Sequence, residues 1–224
     1  MFAGLGTILA LLFIGLGFWQ LSRLSERRTF NESLRSRAET APIEFRSLPA
    51  DTSAARFTRV KVIGTYDFAH EIVLTNRTRR GSPGVNIITP MRTPGSDTAV
   101  LVNRGWVYAP DGMTVDLLRW REPESVSGDG FIQNLTTRAG EVRSARRPNA
   151  YRWLDRPTLS QAFPYPVAGY SIVLISDGKP QVATVPPRLE VPPLDEGSHL
   201  NYAFQWFSFA AISIIGMFLF VRRK

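Results

Sequence analysis

The chain has 224 residues, of which 44% are hydrophobic, and it carries a formal net charge of +8 at pH 7. It contains no cysteine, which excludes disulfides, thiolate metal sites and cysteine nucleophiles. The basic residues are dispersed along the chain and form no single patch, so nucleic acid is not an expected partner.

The first predicted element is an apolar helix at the N-terminus. Residues 2–21 contain no charged side chain. A helix of that length is about 30 Å long, which matches the hydrocarbon thickness of a bilayer. A cleaved signal peptide is the alternative, but the segment lacks a basic n-region and a small-x-small cleavage site and is too long for an h-region. We therefore predict a retained transmembrane helix, continued by a polar helix over residues 24–38.

The central region predicts a β-rich domain. Alternating or β-branched runs indicate six strands, at residues 56–65, 71–76, 85–89, 98–108, 131–137 and 170–176. Turn signals separate them, at residues 81–84, 94–95, 110–112, 128–130 and 177–178. A short helix is predicted over residues 157–162, and an extended connector over the proline-rich residues 180–193. The simplest architecture is a small antiparallel sheet or barrel.

A second apolar segment, residues 202–221, precedes the basic tail Arg222-Arg223-Lys224. Trp19 ends the first apolar segment, while Tyr202 and Trp206 begin the second, which is the arrangement of an aromatic belt at one membrane face. We predict a membrane protein with transmembrane helices over residues 2–21 and 201–221, a β-rich extracytoplasmic domain over residues 22–200, and a basic cytoplasmic tail over residues 222–224.

The orientation in the membrane follows from the basic tail, which favours a cytoplasmic C-terminus. Arginines after the first apolar segment, such as Arg23 and Arg27, favour the opposite orientation, but long loops are translocated largely regardless of charge. With two spans, both termini are then cytoplasmic. Arginine outnumbers lysine 24 to 3, a composition typical of GC-rich bacterial genomes, so the expected location is a bacterial cell (inner) membrane.

A search for catalytic chemistry finds few candidates. The chain has two histidines, His70 and His199, and no G-x-S-x-G nucleophile elbow. The glycine cluster at residues 80–84 lacks the lysine of a P-loop. No group of residues has metal-ligand spacing, and four methionines without cysteine are a poor copper site. We therefore predict a protein that is not an enzyme and has no copper or zinc site.

His199 is the most informative of the polar residues. In a helix that begins near Ser198, His199, Tyr202, Ala203 and Trp206 would share one face. An imidazole beside such an aromatic stripe could ligate haem iron. The alternative is an interfacial histidine that hydrogen-bonds to the preceding loop and fixes the depth of the helix.

The triplet Arg104-Gly105-Trp106 ends a strongly predicted strand and also has two interpretations. The guanidinium could pair with a propionate carboxylate. In the structural alternative, the glycine forms a bulge and the tryptophan covers the core.

Three motifs together resemble the Surfeit locus protein 1 family. They are GFWQL at residues 17–21, VNRGWV at residues 102–107 and HLNYAFQWF at residues 199–207. The motifs occur in the family's order, and the resemblance covers nearly the whole chain. Gly197-Ser198 stands before the histidine where the family leads us to expect asparagines.

The resemblance implies an assembly factor for haem–copper cytochrome c oxidase that assists haem a delivery or insertion into the catalytic subunit. Haem a binding in bacterial members has been attributed to the histidine that matches His199. The implied site has His199 as ligand to the haem iron, with Trp19, Tyr202 and Trp206 against the ring and Arg104 at a propionate.

The expected cofactor is haem a, held transiently. The expected partners are the oxidase catalytic subunit, the haem a biosynthesis enzymes and membrane lipid. One alternative is a scaffold that binds no haem and stabilises an oxidase assembly intermediate through protein contacts. Another is a membrane-tethered module unrelated to respiration.

Overall fold

The computed structural model describes residues 2–48, 53–137, 142–144, 147–176, 182–191 and 194–222. The basic tail, the turn at 177–178 and the connector over 180–193 lie wholly or partly outside these residues: Arg223 and Lys224, the whole turn, and both ends of the connector are not described. Packing divides the chain into a helical unit, Met1–Ser36 with Pro193–Lys224, and a domain unit, Arg37–Pro192. The domain unit lies within the β-rich region predicted over residues 22–200.

The helical unit consists of two helices, α1 (Phe2–Glu39) and α3 (His199–Arg222). The predicted polar continuation over residues 24–38 is confirmed, since α1 runs unbroken until three residues before Pro42, the first proline of the chain. Both helices are long and apolar enough to cross a membrane, and large apolar side chains such as Leu11 and Ile212 are exposed on them. These properties are compatible with a membrane protein.

Small residues bring α1 and α3 into contact. Ala203 and Ala210, which are seven residues apart and therefore on one face, are the two buried residues of α3. A Cβ atom at Gly17 would lie 2.6 Å from the ring of Phe207, so a larger residue at this position would displace that ring. At the far end of the pair, Gly6 faces Met217. The helices are therefore antiparallel and pack through small side chains, as membrane helices commonly do.

The described part of the domain forms one mixed sheet and a short helix, α2 (Arg156–Ala162). Its strands are β1 (Ile43–Glu44), β2 (Arg59–Tyr66), β3 (Ile72–Arg79), β4 (Ser82–Arg92), β5 (Ala99–Tyr108), β6 (Ser125–Asn134), β7 (Arg143–Ser144), β8 (Arg147–Tyr151) and β9 (Val167–Leu174). Their order is β1-β2-β6-β9-β5-β4-β3-β8-β7. β2 also pairs with β4, so strands β2, β6, β9, β5 and β4 close into a barrel-like ring.

The six predicted strands correspond to β2, β3, β4, β5, β6 and β9, whereas β1, β7 and β8 were not predicted. Of the predicted antiparallel sheet or barrel, the barrel agrees with the closed ring. The antiparallel pairing is not complete, because β9 pairs with β5 in parallel, as β1 does with β2 and β8 with β3. The turn predicted at residues 81–84 is shorter in the structure and lies nearer the N-terminus, because β3 ends at Arg79 and β4 begins at Ser82. Arg80 and Gly81, both with positive φ, form a two-residue hairpin loop of the type I′ kind.

The turn predicted at residues 128–130 is also wrong, because these residues lie inside β6. Gly130 pairs with Val60 on one side and Leu174 on the other. A Cβ atom at Gly130 would lie 2.6 Å from a methyl group of Ile172. The glycine that signals a turn in the sequence therefore permits close strand packing instead.

The strand alternation divides the apolar side chains between two faces of the sheet. The interior of the ring is filled by residues from all five of its strands: Val60, Val62, Tyr66, Met91, Val100, Val102, Val126, Ile132, Ile172 and Leu174. Leu101 alternates with Val100 and Val102, and it packs outside the ring with Ile88 and Leu159 of α2. Asp155 caps α2 by accepting a hydrogen bond from the backbone N–H of Thr158 at 3.0 Å.

Candidate functional site

His199 is the first residue of α3, and its ring is bonded to a residue of α1. The Nδ1 atom of His199 lies 2.8 Å from Oε1 of Gln20, which is 8% exposed. An amide oxygen accepts hydrogen bonds, so this contact assigns the imidazole proton to Nδ1. In the neutral imidazole this tautomer carries its lone pair on Nε2, which is the form in which histidine ligates a metal.

The loop before α3 is fastened to the polar part of α1 within the helical unit. Arg27 and Asn31 both donate to the backbone oxygen of Asp195, each at 3.1 Å. Arg28 forms an ion pair with Glu196 at 2.9 Å. These contacts fix where α3 begins and therefore where the imidazole of His199 lies.

Gly197 shows why the loop turns at this place. Its φ is +73°, a left-handed conformation, and its backbone N–H donates to Oδ1 of Asp195 at 2.8 Å. Asparagine is the other residue that tolerates this conformation well. The departure from the family pattern at this position is therefore conservative in backbone terms, because glycine and asparagine both satisfy the same turn.

The aromatic residues predicted around His199 have different environments. Trp206 is partly buried and stacks on Phe13, with ring centroids 5.8 Å apart, and its Nε1 atom is buried without a hydrogen-bond partner among the described residues. Tyr202 and Trp19 are 47% and 54% exposed. Helical spacing puts Tyr202 and Trp206 on the His199 face of α3, and Trp19 precedes Gln20 on α1.

Gln20 was not predicted as a site residue, although it belongs to the GFWQL motif. Gln20 is 179 residues from His199, so no local periodicity connects them. The available signal was a polar side chain at the end of a long apolar helix, a position where polar groups are usually satisfied by a specific partner.

Arg104 lies in the domain unit and has no exposed surface. Its Nε atom donates to Thr89 at 2.8 Å, and its Nη1 atom donates to the backbone oxygen of Trp120 at 2.7 Å and to Glu122 at 2.9 Å. The remaining nitrogen pairs with Glu71. Its donors are therefore directed at a buried network, and we do not retain Arg104 as a propionate ligand.

The network around Arg104 is balanced in charge. Arg188 forms an ion pair with Glu122 and also donates to the backbone oxygen of Arg104, so two arginines face two glutamates. The ring of Tyr66 lies 5.6 Å from the Arg104 guanidinium. Burial, and secondarily the charge of Glu122, raises the pKa of Tyr66. Such satisfied buried charges stabilise one defined arrangement of the strands.

The structural alternative for the Arg104-Gly105-Trp106 triplet accounts for its other two residues. The ladder between β4 and β5 shifts register between Ile87 and Ile88, where Gly105 has φ +142°. Trp106 is partly buried and donates from Nε1 to the backbone oxygen of Arg77 at 3.0 Å. The motif therefore shapes the barrel.

The second histidine, His70, also belongs to the domain unit. Its Nδ1 atom lies 2.8 Å from Oδ2 of Asp67, which accepts a further hydrogen bond from the Tyr165 hydroxyl at 2.6 Å. Burial would raise the pKa of Asp67, but these hydrogen bonds outweigh it and lower the pKa. Among the residues that the structure describes, no group of histidine, aspartate and glutamate is arranged to hold a metal ion.

Comparison with known proteins gives one consistent result. A model of the SURF1 family matches residues 7–211. The chain is 27% identical to a SURF1-like protein of Monosiga brevicollis, over 94% of this chain and 83% of that protein. It is 26% identical to a SURF1-like protein of Rickettsia felis, over 94% of this chain and 92% of that protein. It is 30% identical to Surfeit locus protein 1 of Arabidopsis thaliana, over 66% of this chain and 43% of that protein.

Proposed function

This chain belongs to the SURF1 family, as its three sequence motifs predicted, and on that premise we propose that it is an assembly factor for haem–copper cytochrome c oxidase. Its role is to assist haem a delivery or insertion into the catalytic subunit. It acts by binding and not by catalysis. Its partners are that subunit, the haem a biosynthesis enzymes and the surrounding lipid.

The proposed location is the inner membrane of a bacterial cell, with both helices spanning the bilayer. The 24 residues of α3 exceed the length that a bilayer requires, and most of their side chains are exposed, as lipid-facing side chains are. The basic C-terminal tail supports cytoplasmic termini, which puts the domain on the extracytoplasmic side.

The observation that carries the haem proposal is the hydrogen bond between His199 and Gln20. Histidines that bind metals usually donate their other ring N–H to a neighbouring acceptor, which fixes the tautomer and orients the ring. Gln20 supplies that acceptor, and Nε2 of His199 is left as the ligand atom. The exposed rings of Trp19 and Tyr202 supply apolar surface for a porphyrin, and the buried Nε1 of Trp206 has no hydrogen-bond partner among the described residues. These residues therefore fit haem a as cargo.

The roles of the side chains follow from this arrangement. Haem a would supply an iron atom, and His199 is the residue that would hold it. Gln20 holds the proton on Nδ1 and the orientation of the ring. Trp19, Tyr202 and Trp206 would exclude water from the apolar face of the cargo.

The test is the absorbance spectrum of the full chain, purified in detergent after co-expression with the haem a biosynthesis enzymes. We expect a haem a band in the wild type, no band for His199→Ala, and a weaker, less stable band for Gln20→Leu. His70→Ala is the matched control, because it removes the other histidine, and should keep the full band.

Two outcomes would count against the proposal. A full band for His199→Ala would show that this residue is not the ligand. The absence of a band in the wild type, despite available haem a, would favour the scaffold that works through protein contacts alone.

A further inference from the structure

One mouth of the five-stranded ring contains a large cavity. It has a volume of about 660 Å³ and lies where β4 and β6 end and where β5 and β9 begin. Phe45 and Leu48, from the segment after β1, pack against the barrel core at this mouth. Barrel mouths are common ligand sites, and this volume is within the range of small-molecule pockets.

The charge of this mouth is of one sign. Arg46 and Arg156 line the cavity, and no carboxylate does so among the residues that the structure describes. Arg46 donates to the backbone oxygen of Pro94 at 3.2 Å and has no ion pair with a described residue. The guanidinium of Arg156 lies close to Gly169, since a Cβ atom built on that glycine would be 3.5 Å from the guanidinium carbon. No described carboxylate forms an ion pair with Arg156.

The other mouth of the ring is built differently. Its cavity is smaller, about 290 Å³, and its lining includes Glu122 and Arg188, which form an ion pair with each other. Charges at that mouth neutralise one another within the protein. The two arginines of the large mouth lack such neutralisation, so their field favours an anion from outside.

The wall of this cavity has an apolar part and a polar part. The apolar part is lined by Phe45, Leu48, Val100, Leu135, Ala168 and Tyr170, and the polar part by Thr93, Ser96, Thr98, Asn134 and Thr137. Tyr170 is uncharged at neutral pH, as tyrosine ordinarily is, and burial raises its pKa further, so its ring adds to the apolar surface. A ligand that matches both features has an oxyanionic head group and an apolar body.

We propose that this mouth binds an amphiphile with a carboxylate or phosphate head, which Arg46 and Arg156 hold while its chain lies against the apolar part of the wall. Guanidinium groups bind these oxyanions through charge-assisted and often bidentate hydrogen bonds. The site is in the domain unit and does not depend on haem binding at His199. The head group could come from a fatty acid or from a phospholipid.

The test uses the full chain in nanodiscs of neutral phosphatidylcholine and short amphiphiles below their micelle concentrations. Octanoate and octyl phosphate carry the two head groups, and octyl glucoside is the neutral control with the same chain. Binding is measured by calorimetry, with empty nanodiscs subtracted. The variants are Arg46→Gln/Arg156→Gln and, as a control for an arginine outside the cavity, Arg119→Gln.

We expect each anion to bind the wild type and Arg119→Gln with the same affinity. Octyl glucoside should bind both proteins at least about tenfold more weakly than the anions do. The double variant should lose at least about tenfold in affinity for the anions, because charge-assisted hydrogen bonds are lost, and should not change for octyl glucoside. Tighter binding of octyl phosphate would identify a phospholipid head group, and tighter binding of octanoate a fatty acid. Equal anion affinity of the double variant and wild type, or equal binding of octyl glucoside, would overturn the proposal.

Discussion

Replacing Arg104 by methionine tests whether the buried ion-pair network stabilises the domain. Methionine is similar in length to arginine but lacks its charge and its donors. The substitution leaves Glu122 paired with Arg188. Glu71, whose side chain is 5% exposed, keeps among the described residues only its bond from the Thr89 hydroxyl at 2.5 Å. An uncompensated carboxylate is then buried in the core of the domain.

The magnitude follows from that uncompensated charge. Removing one partner of a buried ion pair costs about 3–5 kcal/mol in the free energy of unfolding. For a protein of this size, that corresponds to a fall in Tm of about 6–20 °C. The loss should be smaller at acid pH, because a proton can neutralise the carboxyl group that the substitution leaves behind.

The assay is thermal unfolding of the full chain in detergent, followed by near-UV circular dichroism. Arg59→Met is the matched control, because Arg59 pairs with Asp129 at 3.1 Å but both side chains are about one-third exposed. Exposed pairs contribute about 1 kcal/mol or less. The double variant Arg104→Met/Glu71→Leu should recover part of the loss. Equal Tm values for Arg104→Met and Arg59→Met would refute this reasoning.

Two further predictions concern the helix pair and the acid stability of the domain. The chain has no cysteine, so introduced cysteines can pair only with each other. Gly6→Cys/Met217→Cys should oxidise to a disulfide, because a Cβ atom at Gly6 lies 3.5 Å from that of Met217. The control Gly15→Cys/Met217→Cys should not, and equal cross-linking in both variants would contradict the packing of the helices. The pKa of Asp67 is lowered by hydrogen bonds from Tyr165 and the neighbouring imidazole, which outweigh the effect of burial. The stability that this carboxylate contributes is present above its unfolded pKa and is lost as pH falls through its folded pKa. Asp67→Asn should therefore lower Tm at pH 7 but not near pH 2. A difference in Tm that does not depend on pH would contradict this prediction.

Local sequence patterns were sufficient to predict the two apolar helices and the five strands that close the ring. Uncharged runs gave the two apolar helices, and alternation such as that of Val60 and Val62 gave six strands, because both signals arise within a few neighbouring residues. α3 begins at His199, close to the predicted start near Ser198, so His199 and Trp206 share one helix face as expected. Family membership was predicted from motifs and is confirmed.

The remainder depends on contacts between distant residues. Local patterns do not indicate which strands pair or in which direction, because a strand shows the same alternation in a parallel or an antiparallel pair. The parallel pairing of β9 with β5 therefore could not be predicted, nor could the closure of the ring through Tyr66 and Met91. The burial of Arg104 requires Glu71 and Glu122 from other parts of the chain. Charged residues are rarely buried without such partners, so the motif alone left a ligand role for Arg104 open beside the structural one.

We propose that the chain promotes oxidase assembly by binding haem a through His199. The most direct test is a bacterial strain that lacks this chain and is complemented with the wild type, His199→Ala or His70→Ala at equal membrane levels. The quantity to measure is the amount of haem a per catalytic subunit in the purified oxidase. We predict full haem a content with the wild type and His70→Ala, and a deficit with His199→Ala. Full haem a content with His199→Ala would contradict the claim.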